Sequence, residues 1–148
     1  MATVDETFTE AVKRHQTGDL DAAERLYRQV IEMMPAHAGS LSNLGVLLSR
    51  KGQLDEAARF YNAALAVNPN QLDAHYNLGN VYRKQGRPQD AVAAYQAALA
   101  IQPTHPRVLL NLGLALSELG DTQAAIDQYR RAVQRDPGFA EAYNLLGD

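Results

Sequence analysis

Five residue series run through this 148-residue chain in one register, each repeating every 34 positions. Gly18, Gly52, Gly86 and Gly120 form one series, and Gly45, Gly79, Gly113 and Gly147 a second. Pro35, Pro69, Pro103 and Pro137 form a third; Ala23, Ala57, Ala91 and Ala125, and Tyr27, Tyr61, Tyr95 and Tyr129, complete the set. Eight of the ten glycines and four of the six prolines are thereby placed on one lattice. Residues with such different backbone demands recur together only when one supersecondary unit has been copied along the chain. A unit this short cannot bury its apolar face alone and must stack on its copies. The question of function therefore moves from a catalytic pocket to a surface.

Residues 72–105 serve as the reference unit. Leu78, Gly79 and Tyr82 sit at helical spacing until Gly86 interrupts the pattern. A second periodic run puts Ala91, Tyr95, Ala98 and Leu99 on one face, and Pro103 ends it. Pro88 suits a first helical turn, where its missing N–H is not needed. Each unit therefore reads as helix, short turn, helix, short turn, with antiparallel neighbours. Gly79, Ala91 and Ala98 lack bulk where two helices approach, and Leu78, Tyr82 and Tyr95 fill the spaces between. A glycine within a helix costs roughly 1 kcal/mol against alanine, so its recurrence points to close packing. The turn glycine is expected to supply positive φ after the first helix. Asp21, Asp55, Glu56 and Asp90 fall in first turns of second helices, where they complement the helix dipole.

This pattern (a bulky residue, Leu–Gly, an aromatic, Ala-x3-aromatic, then proline) resembles the tetratricopeptide repeat family. The resemblance covers residues 4–148 and divides them into units 4–37, 38–71, 72–105 and 106–139 with a half unit 140–148. Leu44–Gly45, Leu78–Gly79 and Leu112–Gly113, followed by Leu48, Tyr82 or Leu116, carry it in the middle units. The first unit departs, with Glu10–Ala11 for Leu–Gly and Arg14 at the aromatic position, as befits a solvent-facing array end. The implied fold is an all-α, right-handed superhelical solenoid of antiparallel helix pairs, read as a single array over residues 1–148.

On a helical wheel of about 100° per residue, the stripe of the reference first helix opposite its core is Asp73, Asn77, Asn80 and Lys84. The corresponding stripes are Gly39, Asn43, Val46 and Arg50 before it, and Arg107, Asn111, Leu114 and Glu118 after it. Asn43, Asn77 and Asn111 thus read as a ladder on the concave side. A carboxamide pairs with both the N–H and the C=O of an extended peptide residue. With helices about 8–10 Å apart and roughly 3.3 Å per extended residue, one asparagine engages about every third residue. Arrays on O-linked N-acetylglucosamine transferases carry a similar ladder, and the resemblance implies backbone contact at these three asparagines; Thr9 and Leu145 break it in the end units. Val12, Val46, Tyr76, Leu110 and Leu114 also point toward the concave side and read as apolar contacts. Arg50, Arg83, Lys84 and Arg107 make the middle of that face basic, while Asp5, Glu118, Glu141 and Asp148 make its ends acidic, leaning toward a ligand with an acidic centre. Some tetratricopeptide domains hold a C-terminal carboxylate in a lysine–asparagine–lysine–arginine clamp. The matching positions here are Phe8, Val12, Asn43, Asp73 and Asn77, where only an asparagine survives.

Composition narrows the partner to protein or peptide. A net charge of −3 supplies no basic footprint for nucleic acid and no polybasic membrane patch. Without cysteine there is no disulfide framework, thiolate nucleophile or Cys-ligated metal. His15, His37, His75 and His105 show no recurrent metal-ligand spacing, so neither a metal nor another cofactor is expected. His75 takes the bulky position of its unit and reads as packing. No serine sits in a nucleophile elbow or phosphate-loop context, so no enzymatic activity is expected. Met1–Phe8 has no apolar leader region and no apolar run reaches about 18 residues, which reads as cytoplasmic with no membrane partner. The expected function is a scaffold that holds an extended peptide or a partner helix in its groove. The alternatives are a recruiting segment of a larger enzyme such as a glycosyltransferase, and a self-assembling array. Residues 140–148 match the start of a fifth first helix through Tyr143, Leu146 and Gly147. That reading implies either a fragment or self-association through the C-terminal end.

Overall fold

In a computed structural model, residues 1–147 are described, and they are helical without a strand. The helices are α1 (Val4–Gln16), α2 (Leu20–Met33), α3 (Ala38–Arg50), α4 (Leu54–Val67), α5 (Leu72–Lys84), α6 (Pro88–Ile101), α7 (Pro106–Glu118), α8 (Thr122–Arg135) and α9 (Ala140–Leu145). The starts of α1, α3, α5, α7 and α9 are successively 34 residues apart, and so are those of α2, α4, α6 and α8. Met1–Pro69, with α1–α4, forms one compact unit, and a second begins at Asn70 with α5–α9. Within each, α1, α3, α5 and α7 pack chiefly on the even helix that follows, and α9 packs on α8.

Local signals set these boundaries. Thr3 and Glu6 form a capping box at α1, and Asp19 and Asp121 accept from the backbone N–H of Ala22 and Ala124. Pro88 and Pro106 open α6 and α7. His37 and His105 cap α3 and α7 by accepting from Ser40 N–H and Val108 N–H through Nδ1. Gly18, Gly52, Gly86 and Gly120 have φ of 87°, 79°, 73° and 85°, as a left-handed exit from the first helix requires. Gly147 departs from the packing role of its series. At φ 80° it follows the end of α9, and a Cβ there would meet nothing within 4 Å.

The packing glycines have a specific counterpart. A Cβ on Gly45, Gly79 or Gly113 would stand 2.9, 2.5 or 2.4 Å from a ring carbon of Tyr61, Tyr95 or Tyr129, respectively. Each glycine therefore makes room for the tyrosine of its own hairpin, a closer fit than helix approach alone demands. Tyr27, Tyr61 and Tyr95 are fully buried. In the first hairpin, α1–α2, Ala11 takes the glycine position, and Glu10 pairs with Arg14 at 2.8 Å where later hairpins carry core residues. The second unit holds two apolar clusters, one around Tyr95, Val108 and Leu112, the other around Leu109, Leu110, Tyr129 and Phe139. Among the described residues no helix is long and apolar enough to cross a membrane.

Candidate interaction surface

In the second unit, α5 and α7 together line an open pocket of about 440 Å³ with Asn80, Arg83, Lys84 and Asn111. The polar groups behind it form a connected network. The Tyr95 hydroxyl donates to Asn80 Oδ1, and Asn111 Nδ2 donates to the same oxygen at 3.0 Å and to the Tyr76 hydroxyl at 2.9 Å. Burial pushes the Tyr95 phenol up to about 12, while the Arg83 guanidinium pulls the other way. A buried hydroxyl without a partner is costly, and the asparagines supply that partner.

This overturns part of the ladder. Asn111 is buried at 9% exposure, with both amide hydrogens committed inside the protein. Asn80, whose oxygen accepts twice, lines the pocket and has its NH₂ outside that network. The signal was present in the sequence: Asn43, Asn77 and Asn111 each follow a repeat tyrosine by 16 residues. Asn43 at that offset engages the Tyr27 hydroxyl, and Asn111 joins the network that holds the Tyr95 hydroxyl.

The first unit repeats the theme with different residues. An open pocket of about 370 Å³ is lined by Val12, His15, Gln16, Tyr27, Asn43 and Arg50. His15 Nδ1 lies 3.0 Å from the Tyr27 hydroxyl, which Asn43 also engages. Burial raises the Tyr27 phenol against the pull of Asn43, and it lowers His15, with the Arg50 charge adding to the depression. His15, passed over in the sequence, is therefore a neutral imidazole in a pocket wall at pH 7. Its offset of 12 from Tyr27, present in this hairpin alone, was the available clue.

The remaining candidates divide. Arg50 and Lys84 are exposed, and Asn77, Val46, Tyr76 and Leu114 are half-buried. Tyr76 packs near the Tyr95 ring at 6.0 Å, and Leu114 packs against the Tyr129 cluster. Leu110 is a core residue, 1% exposed, and not a surface contact. Arg107 is exposed but occupied: it pairs with Glu141 at 3.1 Å and lies over the Phe139 ring at 4.8 Å. Arg83 likewise binds Glu118 through Nε and Nη2 at 3.0 and 2.7 Å. The basic middle and the acidic ends thus partly neutralise each other. Asp148 lies outside the described residues.

Comparison with known proteins agrees with the repeated helical fold. No curated protein matches the sequence. The crystal structure of MamA protein superposes with a TM-score of 0.93 at 26% identity, over 97% of this chain and 79% of that one. YrrB, described as a TPR protein with an unusual peptide-binding site, gives 0.89 at 23% over 98% and 75%. A tetratricopeptide repeat protein from Parabacteroides merdae gives 0.89 at 23% over 97% and 58%. The last two likenesses speak for the fold alone. Tetratricopeptide repeat models match residues 37–104, 70–137 and 14–29. With helix starts, turn glycines and glycine–tyrosine packing all on the matched period, the chain belongs to the tetratricopeptide repeat family.

Proposed function

We propose that the chain is a protein-interaction scaffold in which the odd-numbered helices of each unit hold an extended segment of a partner protein. The observation that carries this reading is the Asn80 carboxamide. Its oxygen is fixed by Tyr95 and Asn111, so its NH₂ is oriented and ready to donate beside an open pocket. A preoriented amide binds a peptide carbonyl with little further loss of rotamer freedom. In the first unit Asn43 and Gln16 take the corresponding role beside Arg50. YrrB, with its peptide-binding site, lends the reading support by analogy. The likeness to transferase arrays rested on three equivalent asparagines. With Asn111 turned inward, a scaffold is preferred to a recruiting segment of a larger enzyme. A peptide-display selection tests the proposal. Selected peptides should lose about 3- to 10-fold in affinity with Asn80→Ala, the worth of one hydrogen bond, and should protect α5 and α7 amides from exchange. Peptides that protect only even helices and ignore Asn80→Ala would refute it.

A second reading, self-association, is favoured by the exposure of Leu119, Tyr143 and Leu145 at 41%, 40% and 42%. Sedimentation over a wide concentration range should then show a dimer that Leu145→Glu abolishes. A strict monomer removes this reading.

A further inference from the structure

Resting on the scaffold reading, we propose that each pocket recognises a carboxylate side chain on the bound segment, with Arg50 supplying the charge in the first unit and Lys84 in the second. The two cations are 34 residues apart, in the last turns of α3 and α5. A helix C-terminus favours a cation by itself, which accounts for the residue type but not for its surroundings. The chain has 17 acidic and 14 basic residues, yet neither pocket is lined by a carboxylate. Arg14, Arg28, Lys51, Arg83, Arg87 and Arg107 all have carboxylate partners. Among the described residues, Arg50 and Lys84 have none. Lys13, Arg25, Arg59, Arg130, Arg131 and Arg135 show no ion pair either, but Arg50 and Lys84 are the two unpaired cations that line these carboxylate-free pockets.

The neighbouring groups can donate. In the first pocket the tyrosine-bonded imidazole of His15 has Nε2 left over, and the Gln16 side chain lies beside it. In the second, Asn80 lines the pocket with its oxygen committed to Tyr95 and Asn111, which leaves its NH₂ to donate, while Glu118, the nearby anion, has its charge taken up by Arg83. A guanidinium pairs a carboxylate with two parallel hydrogen bonds, whereas an ammonium acts as a point charge. The first pocket is therefore the more orientation-selective, and the second accepts aspartate and glutamate alike. Both are open to water, so charge adds a modest, salt-sensitive increment to backbone binding.

The experiment uses the isotopically labelled full chain and two end-blocked pentapeptides, Gly-Ser-Glu-Ser-Gly and its Gln counterpart, titrated by NMR. The Glu peptide should shift the Arg50 Nε–H and Lys84 Nζ signals with roughly 2- to 5-fold higher affinity than the Gln peptide. About 0.5 M salt should erase that advantage. Arg50→Gln should remove it in the first unit only, and Lys84→Gln in the second only; both sites are exposed, and circular dichroism checks that the helices persist. Equal binding of both peptides at the pockets overturns the carboxylate assignment while leaving the scaffold reading intact. A Glu preference that survives both substitutions, or no response from either peptide up to about 10 mM, overturns the assignment too, and the display selection then decides the scaffold reading separately.

Discussion

Replacing Gly79 by leucine tests the glycine–tyrosine fit most directly. A Cβ at this position would lie 2.5, 2.7 and 2.9 Å from Cε1, Cδ1 and Cζ of Tyr95. Carbon atoms in ordinary contact keep about 3.5–4.0 Å, so the ring would have to retreat by roughly 1 Å. It has nowhere to go. Tyr95 is fully buried among Ala91, Ala98, Val108, Leu112 and Ala115, with its hydroxyl held by Asn80. For alanine, the gain in helix propensity of about 1 kcal/mol opposes an overpacking cost of about 1–3 kcal/mol. The net loss is then about 0–2 kcal/mol. Leucine adds a branched side chain at the same contact and should cost about 3 kcal/mol or more, lowering Tm by roughly 10 °C for a chain of this size. The control is Gly138→Leu, where the nearest atom to a new Cβ is Asp136 Oδ1 at 3.6 Å. The alanine series adds a ranking: Gly113→Ala should cost more than Gly45→Ala, because their closest approaches are 2.4 and 2.9 Å. Urea unfolding followed by circular dichroism, with amide exchange on α5 and α6, reads each case. Equal stability of the Gly79→Leu and Gly138→Leu proteins, or a reversed alanine ranking, would refute the packing assignment.

Gly86→Ala should cost about 1–2 kcal/mol for the opposite reason: nothing lies within 4 Å of the new methyl, but φ is 73°. The same denaturation measurement checks it. Tyr95→Phe leaves Asn80 Oδ1 with Asn111 alone as donor, so it should lower stability by about 0.5–1.5 kcal/mol and broaden the Asn80 side-chain NMR signal. His15, whose folded-state pKa is lowered by burial below its ordinary value of about 6.5, makes the first unit acid-sensitive. The unfolded chain binds the proton first, so its contribution is complete above about 6.5 and is lost as pH falls toward the depressed folded value. Tm measured between pH 7.5 and 5.5 should fall, less steeply in His15→Gln, and parallel slopes would argue against this.

The helices and turns were legible because their signals are local and repeated: the φ > 0 glycines, the helix-opening prolines and the period itself. What the sequence concealed is relational. A wheel drawn for one helix assigned Asn111 and Leu110 to an open face, since each helix in isolation leaves that side free. The residues that claim it, Tyr76 and Asn80 for Asn111 and the Phe139 cluster for Leu110, lie on other helices. Arg107 was legible as a cation but not as a paired one, because Glu141 is 34 residues away on α9. His15 was silent for a related reason: its partner Tyr27 is on α2, and one hairpin alone carries the contact.

The siting of the tyrosine hydroxyls has a practical consequence. The chain contains seven tyrosines and no tryptophan, so near-ultraviolet absorption and intrinsic emission come from tyrosine. Tyr27 in one unit, and Tyr76 and Tyr95 in the other, have their phenolic oxygens bonded to side chains that line or adjoin the pockets. Anything that draws on His15, Asn43, Asn80 or Asn111 alters the hydrogen bonding of a chromophore. The protein thus carries a label-free optical reporter at each pocket, and phenylalanine substitution at Tyr27 or Tyr95 silences one reporter at a time.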